Sequence, residues 1–493
     1  MMNADITTRI EKDLIGHREI NNDHYYGVQT LRALENFNLT NSKVGNFPNL
    51  IKALAMVKLA CAEANYNLKN LDQTKFEAIE YSCNQLIRGN FHDQFPIDMM
   101  QGGAGTSTNM NANEVLANVA LEYMGHSKGQ YQYLHPNNDI NMSQSTNDVY
   151  PTAIRLGLLL SLDELNLPFN NLILSFLNKS QEFAHILKMG RTQLQDAVPM
   201  TLGQEFGAFA VTLQKDLEQI NTLIPNVLAY MNLGGTAIGT GITTEYSYRE
   251  LAIQALGKIS GKKIKSAPDL IEATSDMGDF VLLSGLLKRT ATKLSKIAND
   301  LRLLSSGPRT GINEINLEAR QPGSSIMPGK VNPVIPEAMN LACFQIIAND
   351  LAVTLAAEAG QLQLNAMEPL IAFKLFESMD LLGKAMAMFQ TKCIDTITAN
   401  PEHCKALVEN SIGIVTALNP YLGYETTTRI AKTANETGQS VLALVQNEGL
   451  LSAQVLDDIL SINNMVKPKC RLNSEIKKGA YKAPFYFFYN FKS

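Results

Sequence analysis

The 493-residue sequence predicts an all-α protein built around a bundle of five long helices. Two observations carry that expectation. From Asp276 to Leu304, the residues Phe280, Leu283, Leu287, Leu294, Ile297, Leu301 and Leu304 recur at steps of three and four, with only Thr290 interrupting; that spacing places them on one face of a helix. Such a helix spans roughly 45 Å at 1.5 Å per residue. Similar long patterns run over 151–186, 201–231, 336–357 and 369–397. The five carry more apolar surface than one amphipathic stripe needs, which points to helix packing between subunits, with a large monomeric bundle as the alternative.

In chain order, residues 1–145 are rich in Asn, Asp, Gly and turn signals and read as a mainly helical domain of shorter segments. Residues 146–398 hold the long helices. Pro151 and Pro336 fit helix starts, while Pro168 and Pro225 fall inside predicted helices, where kinks or local breaks are expected. Residues 399–493 read as a small helical domain that ends in the aromatic and basic stretch KGAYKAPFYFFYNFKS. That stretch suits either docking on a partner surface or disorder.

Composition narrows the function classes. The chain is 45% hydrophobic and 18% charged with a formal net charge of −5, and its Lys and Arg are not clustered, so neither nucleic acid nor an anionic membrane is an expected partner. The first twenty residues lack the apolar core of a secretory signal. No run of 18 apolar residues appears, so no membrane span is expected. Six cysteines without a C-x-x-C pair read as reduced thiols in a cytoplasm, and neither they nor the seven histidines have metal-ligand spacing.

Four polar islands interrupt the apolar pattern. QGGAGTSTNMN, Gln101 to Asn111, pairs clustered glycines with Thr106, Ser107, Thr108 and Asn109 and can cradle a small anion, but it lacks the lysine of a phosphate-binding loop. MSQSTNDVYPT, Met142 to Thr152, sets Gln144, Ser145, Thr146, Asn147 and Asp148 before a helix opened by Pro151. One such residue suffices as a cap, so five invite a ligand at the positive helix end. MGRTQLQDAVPMTLGQE, Met189 to Glu205, links two long helices and taken alone reads as an ordinary polar connection. NLGGTAIGTG, Asn232 to Gly241, is a further glycine-rich turn whose spacing misses the dinucleotide fingerprint. The fourth island is GSSIMPGKVNP, Gly323 to Pro333. Its one cation, Lys330, beside the neutral donor Asn332, suits a carboxylate, and its glycines and prolines suit a loop that closes.

This last island resembles the G-S-S-x-x-P-x-K-x-N-P signature of the fumarase/aspartase superfamily, whose members cleave C–N or C–O bonds of succinyl-type substrates to release fumarate. The resemblance runs from RIEKDLIGHREINNDHYYGVQTLRALENF to GLLSAQVLDDIL. It is nearest the aspartase branch: QGGAGTS stands where fumarases typically carry Q-T-G-S-G-T-Q, and Gln193 stands where they have His. The resemblance implies reversible deamination of L-aspartate to fumarate and ammonia through an enediolate, without organic cofactor or metal. It implies Ser324 as the base, with Ser325 beside it, and Lys330, Asn332, Thr192 and Gln193 at the α-carboxylate. Thr106, Ser145, Thr146 and Asn147 would surround the β-carboxylate and amino group, and Glu337 matches an acid that pairs with the absent His. The implied assembly is a homotetramer with a twenty-helix core and active sites shared by three subunits. Two departures stand out, Gln193 and Thr243, the latter where relatives often have Asn. The alternatives are a fumarase acting on malate and a catalytically silent oligomer.

Overall fold

The computed structural model describes residues 7–466; the aromatic tail and Cys470 lie outside them. The chain divides into two compact units, residues 7–179 with 206–398 and residues 180–205 with 399–466.

The first unit opens with an antiparallel hairpin, β1 (Thr8–Asp13) and β2 (Gly16–Asn21), where the sequence predicts short helical segments. Asp13 makes the turn by accepting the Ile15 and Gly16 N–H groups. It also holds the guanidinium of Arg32, at 2.6 and 2.8 Å, from α1 (Val28–Asn36). Next come α2 (Pro48–Asn67), α3 (Gln73–Ile87) and α4 (Thr106–Tyr123). Helix α2 buries 14 of its 20 residues and α4 buries 14 of its 18, so both are enclosed on nearly every side rather than along one stripe.

The five long helices form as the periodicity predicts: α5 (Thr146–Glu182), α6 (Leu202–Val227), α9 (Gly278–Leu304), α10 (Val334–Glu358) and α11 (Glu368–Lys392), with short α7 (Tyr248–Ser260) and α8 (Glu272–Ser275) between. All seven apolar residues of the predicted α9 stripe are buried. Thr290, the interruption, is buried too and donates to Asp216 of α6 at 3.3 Å; Arg289 and Lys293 pair with the same carboxylate. The gap in the stripe is therefore a polar layer that sets the register of α9 against α6. A second layer joins α9 to α10, where Asp350 accepts from Ser284 at 2.8 Å and Lys288 at 2.6 Å.

The prolines behave differently from expectation. Helix α5 starts at Thr146, not Pro151, because the Asn147 carbonyl, which the missing Pro151 N–H cannot reach, accepts from the Asn232 side chain at 2.9 Å. Pro168 and Pro225 do not break their helices. Pro225 falls in the last turn of α6, where few backbone bonds remain to lose.

Helix α10 has mean hydropathy 1.4 over its most apolar stretch and, among the described residues, is alone in being long and apolar enough to cross a membrane. Its Met339, Cys343, Ile346 and Val353 are buried, while Leu341, Phe344, Leu351 and Leu355, spaced to share the other face, are 56–68% exposed.

In the second unit the third polar island is an antiparallel hairpin, β3 (Leu187–Thr192) and β4 (Gln195–Thr201), rather than a plain connection. It is followed by α12 (Pro401–Asn410), α13 (Val415–Leu422), α14 (Tyr424–Thr437), α15 (Val441–Asn447), α16 (Ala453–Ile459) and α17 (Ile462–Met465). Their core gathers Val408, Ile414, Leu418, Ile430 and Val445 around Met189 of β3.

Helix α11 opens on Glu368, 1% exposed, with no hydrogen-bond partner on either carboxylate oxygen among the described residues. Burial pushes its carboxyl well above the usual range, and the positive charge of Arg155 offsets this only in part. The folded chain thus holds a proton that the unfolded chain releases as pH rises past the ordinary glutamate range, so stability falls with rising pH. Glu368→Gln, neutral at every pH, removes that slope. Chemical denaturation should show the variant gaining on the parent by up to about 1.4 kcal/mol per pH unit above the ordinary range, with the difference closing at acid pH.

Candidate active site

Two of the polar islands are joined by close packing. Gly103, Ala104 and Gly105 have φ of 92°, 54° and 86° and turn the chain into α4. A Cβ on Gly105 would lie 2.2 Å from the Tyr150 ring of α5, so only glycine lets the start of α4 lie against α5. Thr106 then occupies the first position of α4, exposed, its hydroxyl donating to the Gly103 carbonyl at 2.8 Å. One turn along α4, Asn109 donates to the Thr146 hydroxyl at 3.0 Å. Thr106 and the Ser145–Thr146–Asn147 turn are thus brought to neighbouring helix N-termini, where backbone N–H groups favour an anion.

Asp148 holds that turn. Fully buried, it accepts from the Ser145 N–H on one oxygen and from the Gly234 and Thr236 N–H groups on the other, each at 3.0 Å. Burial pushes its carboxyl up to about 6 against the pull of these donors. Asn147 donates to the Ala237 carbonyl at 2.8 Å. The NLGGTAIGTG stretch, which fits no nucleotide motif, is therefore a collar around the start of α5. In the continuation of that collar Thr243 has φ 76°, strained for a β-branched residue and easier for the Asn that relatives often carry.

Beneath the turn lies Lys58 of α2, fully buried, 2.8 Å from both Asn141 Oδ1 and Gln144 Oε1. Lys58 and Asn141 stand outside the four polar islands, and Asn109 and Asp148 stand in those islands only as general polar members, with no role of their own. A signal existed for Lys58: its helical neighbours Leu54, Ala55, Cys61 and Ala62 are all apolar, which puts a lysine on a buried face.

The Gly323–Pro333 loop is pinned at its base. Gly323 N–H donates to the Lys330 carbonyl at 2.8 Å, and Asn332 Nδ2 donates to the Gly323 carbonyl at 2.7 Å. Ser324 Oγ accepts the Ile326 and Met327 N–H groups at 3.2 and 3.1 Å. Lys330 and Ser325 are exposed, as are Ile326 at 84% and Met327 at 47%. Glu337 sits in the first turn of α10. Among the described residues no hydrogen bond joins Ser324, Lys330 or Asn332 to Thr106, Ser145, Thr146 or Asn147. Thr192 and Gln193 belong to the second unit, at the exposed tip of the β3–β4 hairpin. There Gln193 and Leu194 have φ of 56° and 61°, a two-residue turn that usually takes Asn-Gly.

A cavity of about 240 Å³ lies elsewhere in the first unit, lined by Phe47, Glu164, Phe376 and Lys384 among others, and none of the expected site residues lines it.

The chain matches the family model described as Lyase over residues 16–348 and that described as Fumarase C C-terminus over residues 414–467. It is 64% identical over 468 residues to the aspartate ammonia-lyase of Pseudomonas canavaninivorans, covering 95% of this chain and 99% of the relative. It is 53% identical over 461 residues to that of Escherichia coli strain K12, covering 93% and 96%. The cobalt-bound fumarate lyase:delta crystallin of Brucella melitensis superposes with TM-score 0.91 at 54% identity, over 94% of this chain and all of that one. The class II fumarase of Schistosoma mansoni gives TM-score 0.87 at 33% identity, over 93% and 99%.

Gly105→Ala tests the joint between the islands. Strain at φ 86° adds about 1 kcal/mol or more to the clash with Tyr150, so differential scanning calorimetry should show a lower Tm. An unchanged Tm would mean that the two helix starts are not locked by this contact.

Proposed function

The chain belongs to the fumarase/aspartase superfamily, and we infer that it is a carbon–nitrogen lyase that removes ammonia from L-aspartate reversibly, leaving fumarate. The observation that carries this is identity of 53–65% to aspartate ammonia-lyases over nearly the whole chain, against 33% to a class II fumarase.

The difficulty of the reaction is that the hydrogen on Cβ is barely acidic. Its removal becomes feasible when the electron pair moves onto the β-carboxylate as an enediolate, and donors that grip this charge more tightly than the ground-state carboxylate lower the barrier. We assign that task to Thr106, Ser145 and Thr146, at two helix N-termini, with Asn147 beside them. Ser324 takes the proton. Its two backbone N–H donors favour the alkoxide over the hydroxyl, and Lys330 adds positive charge as the loop closes. Lys330 and Asn332, with Thr192 and Gln193, hold the α-carboxylate and aim Cβ at Ser324. Collapse of the enediolate forms the C=C bond and breaks the C–N bond, and the amine departs with its electron pair as ammonia.

These groups lie at helix N-termini and on separate loops rather than around one cavity, which supports a homotetramer in which each active site draws on three subunits. The exposed apolar face of α10 supports the same reading, since Leu341, Phe344, Leu351 and Leu355 need cover and a partner copy supplies it. A cytoplasmic location goes with the assignment, in keeping with the buried thiols of Cys61, Cys83 and Cys343.

Purified protein given L-aspartate should show the rising ultraviolet absorbance of fumarate. A rise with malate and none with aspartate would favour a fumarase, and no rise with either a silent oligomer. Ser324→Ala should lower kcat by at least about 100-fold while the assembly keeps its mass. Phe344→Asp should reduce the mass seen by light scattering; an undiminished assembly would exclude the α10 face as the contact.

A further inference from the structure

Lys58 is a buried ammonium with no carboxylate at salt-bridge distance among the described residues; its contacts are two side-chain amide oxygens. Removing an ammonium from water without a counter-ion costs several kcal/mol, so its surroundings must be arranged to solvate it. That arrangement has a direction. An ammonium can only donate, so Asn141 and Gln144 must both turn their oxygens to it.

With its oxygen facing Lys58, Asn141 also takes the side-chain N–H groups of Asn109 and Asn113, each at 3.2 Å. Gln144, oriented the same way, donates to the Ile140 and Met142 carbonyls at 2.9 and 3.1 Å and so shapes the turn leading into Ser145. Asn109, its nitrogen fixed toward Asn141, donates at 3.0 Å to the Thr146 hydroxyl. A hydroxyl that accepts there has its own hydrogen left to donate outward. Among the described residues the buried Asn109 and Asn113 oxygens have no hydrogen-bond partner, so both amides use only their donors.

We propose that Lys58 is a positioning residue of the active site: its ammonium sets the direction of the hydrogen-bond chain through Asn141 and Asn109, so that Thr146 is presented as a donor to the side-chain carboxylate of the substrate. The inference rests on the aspartate reading above. It also makes turnover depend on the charge of Lys58. A neutral amine has a lone pair and accepts as well as donates, so the amides are free to turn and the polarity is lost. Burial pushes Lys58 down to about 7. The titratable groups facing it are Cys61 on its own helix, Asp148 on α5 and Cys83 on α3, all favouring the ammonium. Tyr248 of α7 lies beyond Cys61, and α4 contributes amides.

The test is kcat/KM for fumarate release from L-aspartate against pH, on the full chain, for the parent, Lys58→Met and Gln144→Glu, with the fold followed by circular dichroism. The parent should lose kcat/KM as pH rises through a limb below the ordinary lysine range. Lys58→Met, close in length but without a donor, should lower kcat/KM about 100-fold and lack that limb. Gln144→Glu sets a carboxylate against the ammonium and should move the limb to higher pH. A folded Lys58→Met with parental kcat/KM, or one that keeps the parental limb, overturns the proposal. So does a limb that Gln144→Glu leaves in place, which decides the matter even if Lys58→Met does not fold. A parent that forms no fumarate from aspartate instead removes the substrate reading on which the proposal rests.

Discussion

The buried carboxylate of Asp148 is the constraint on which the first unit's functional end depends. It ties the first turn of α5 to the glycine-rich collar at Gly234 and Thr236 through three backbone N–H groups. The collar in turn satisfies the Asn147 carbonyl that Pro151 leaves without an N–H. Each of these groups would otherwise be an unsatisfied polar atom in the interior, at a cost of about 1–3 kcal/mol apiece. The same bonds decide where Ser145, Thr146 and Asn147 point. Stability and the geometry of the turn therefore rest on the same contacts.

Strain gathers where these islands do their work. Of the ten described non-glycine residues with left-handed backbone, six, Ala104, Ser143, Gln193, Leu194, Thr236 and Thr243, lie in or beside the polar islands and the NLGGTAIGTG collar. Long buried helices on either side can over-determine such conformations, which loops alone could not keep. Glycine appears where geometry leaves no option, as at Gly105 beneath Tyr150, or at Gly323, where a Cβ would meet the Lys330 carbonyl at 2.4 Å.

The long helices divide their labour by face. Helix α9 turns its apolar stripe inward and offsets the break at Thr290 with the Asp216 ion pairs, whereas α10 keeps a second apolar face exposed. An exposed apolar face of that size has meaning only in relation to another surface. The polar layers at Asp216 and Asp350 fix which rotation of each helix faces its neighbours, and so which side of α10 is left outward.

The sequence by itself determined the class of fold, the extent of the five long helices and the positions of the polar islands, because these follow from periodicity and from glycine, proline and hydroxyl chemistry that act locally. It could also carry the family, since the GSSIMPGKVNP signature is a contiguous string. The β1–β2 and β3–β4 hairpins were not legible: their short strands lack clean alternation, and their pairing rests on turns such as the strained Gln193–Leu194. Nor could residue spacing show that NLGGTAIGTG wraps Asp148, 86 and 88 positions away along the chain at its two N–H contacts. Only the tertiary structure decided the place of Lys58. Local pattern put it on an apolar face, but which oxygens would solvate a charge with no room to escape depends on α2 being enclosed by α3, α4, α7 and the turn before α5. Burial of a charge is a property of the whole packing, and no window of sequence contains it.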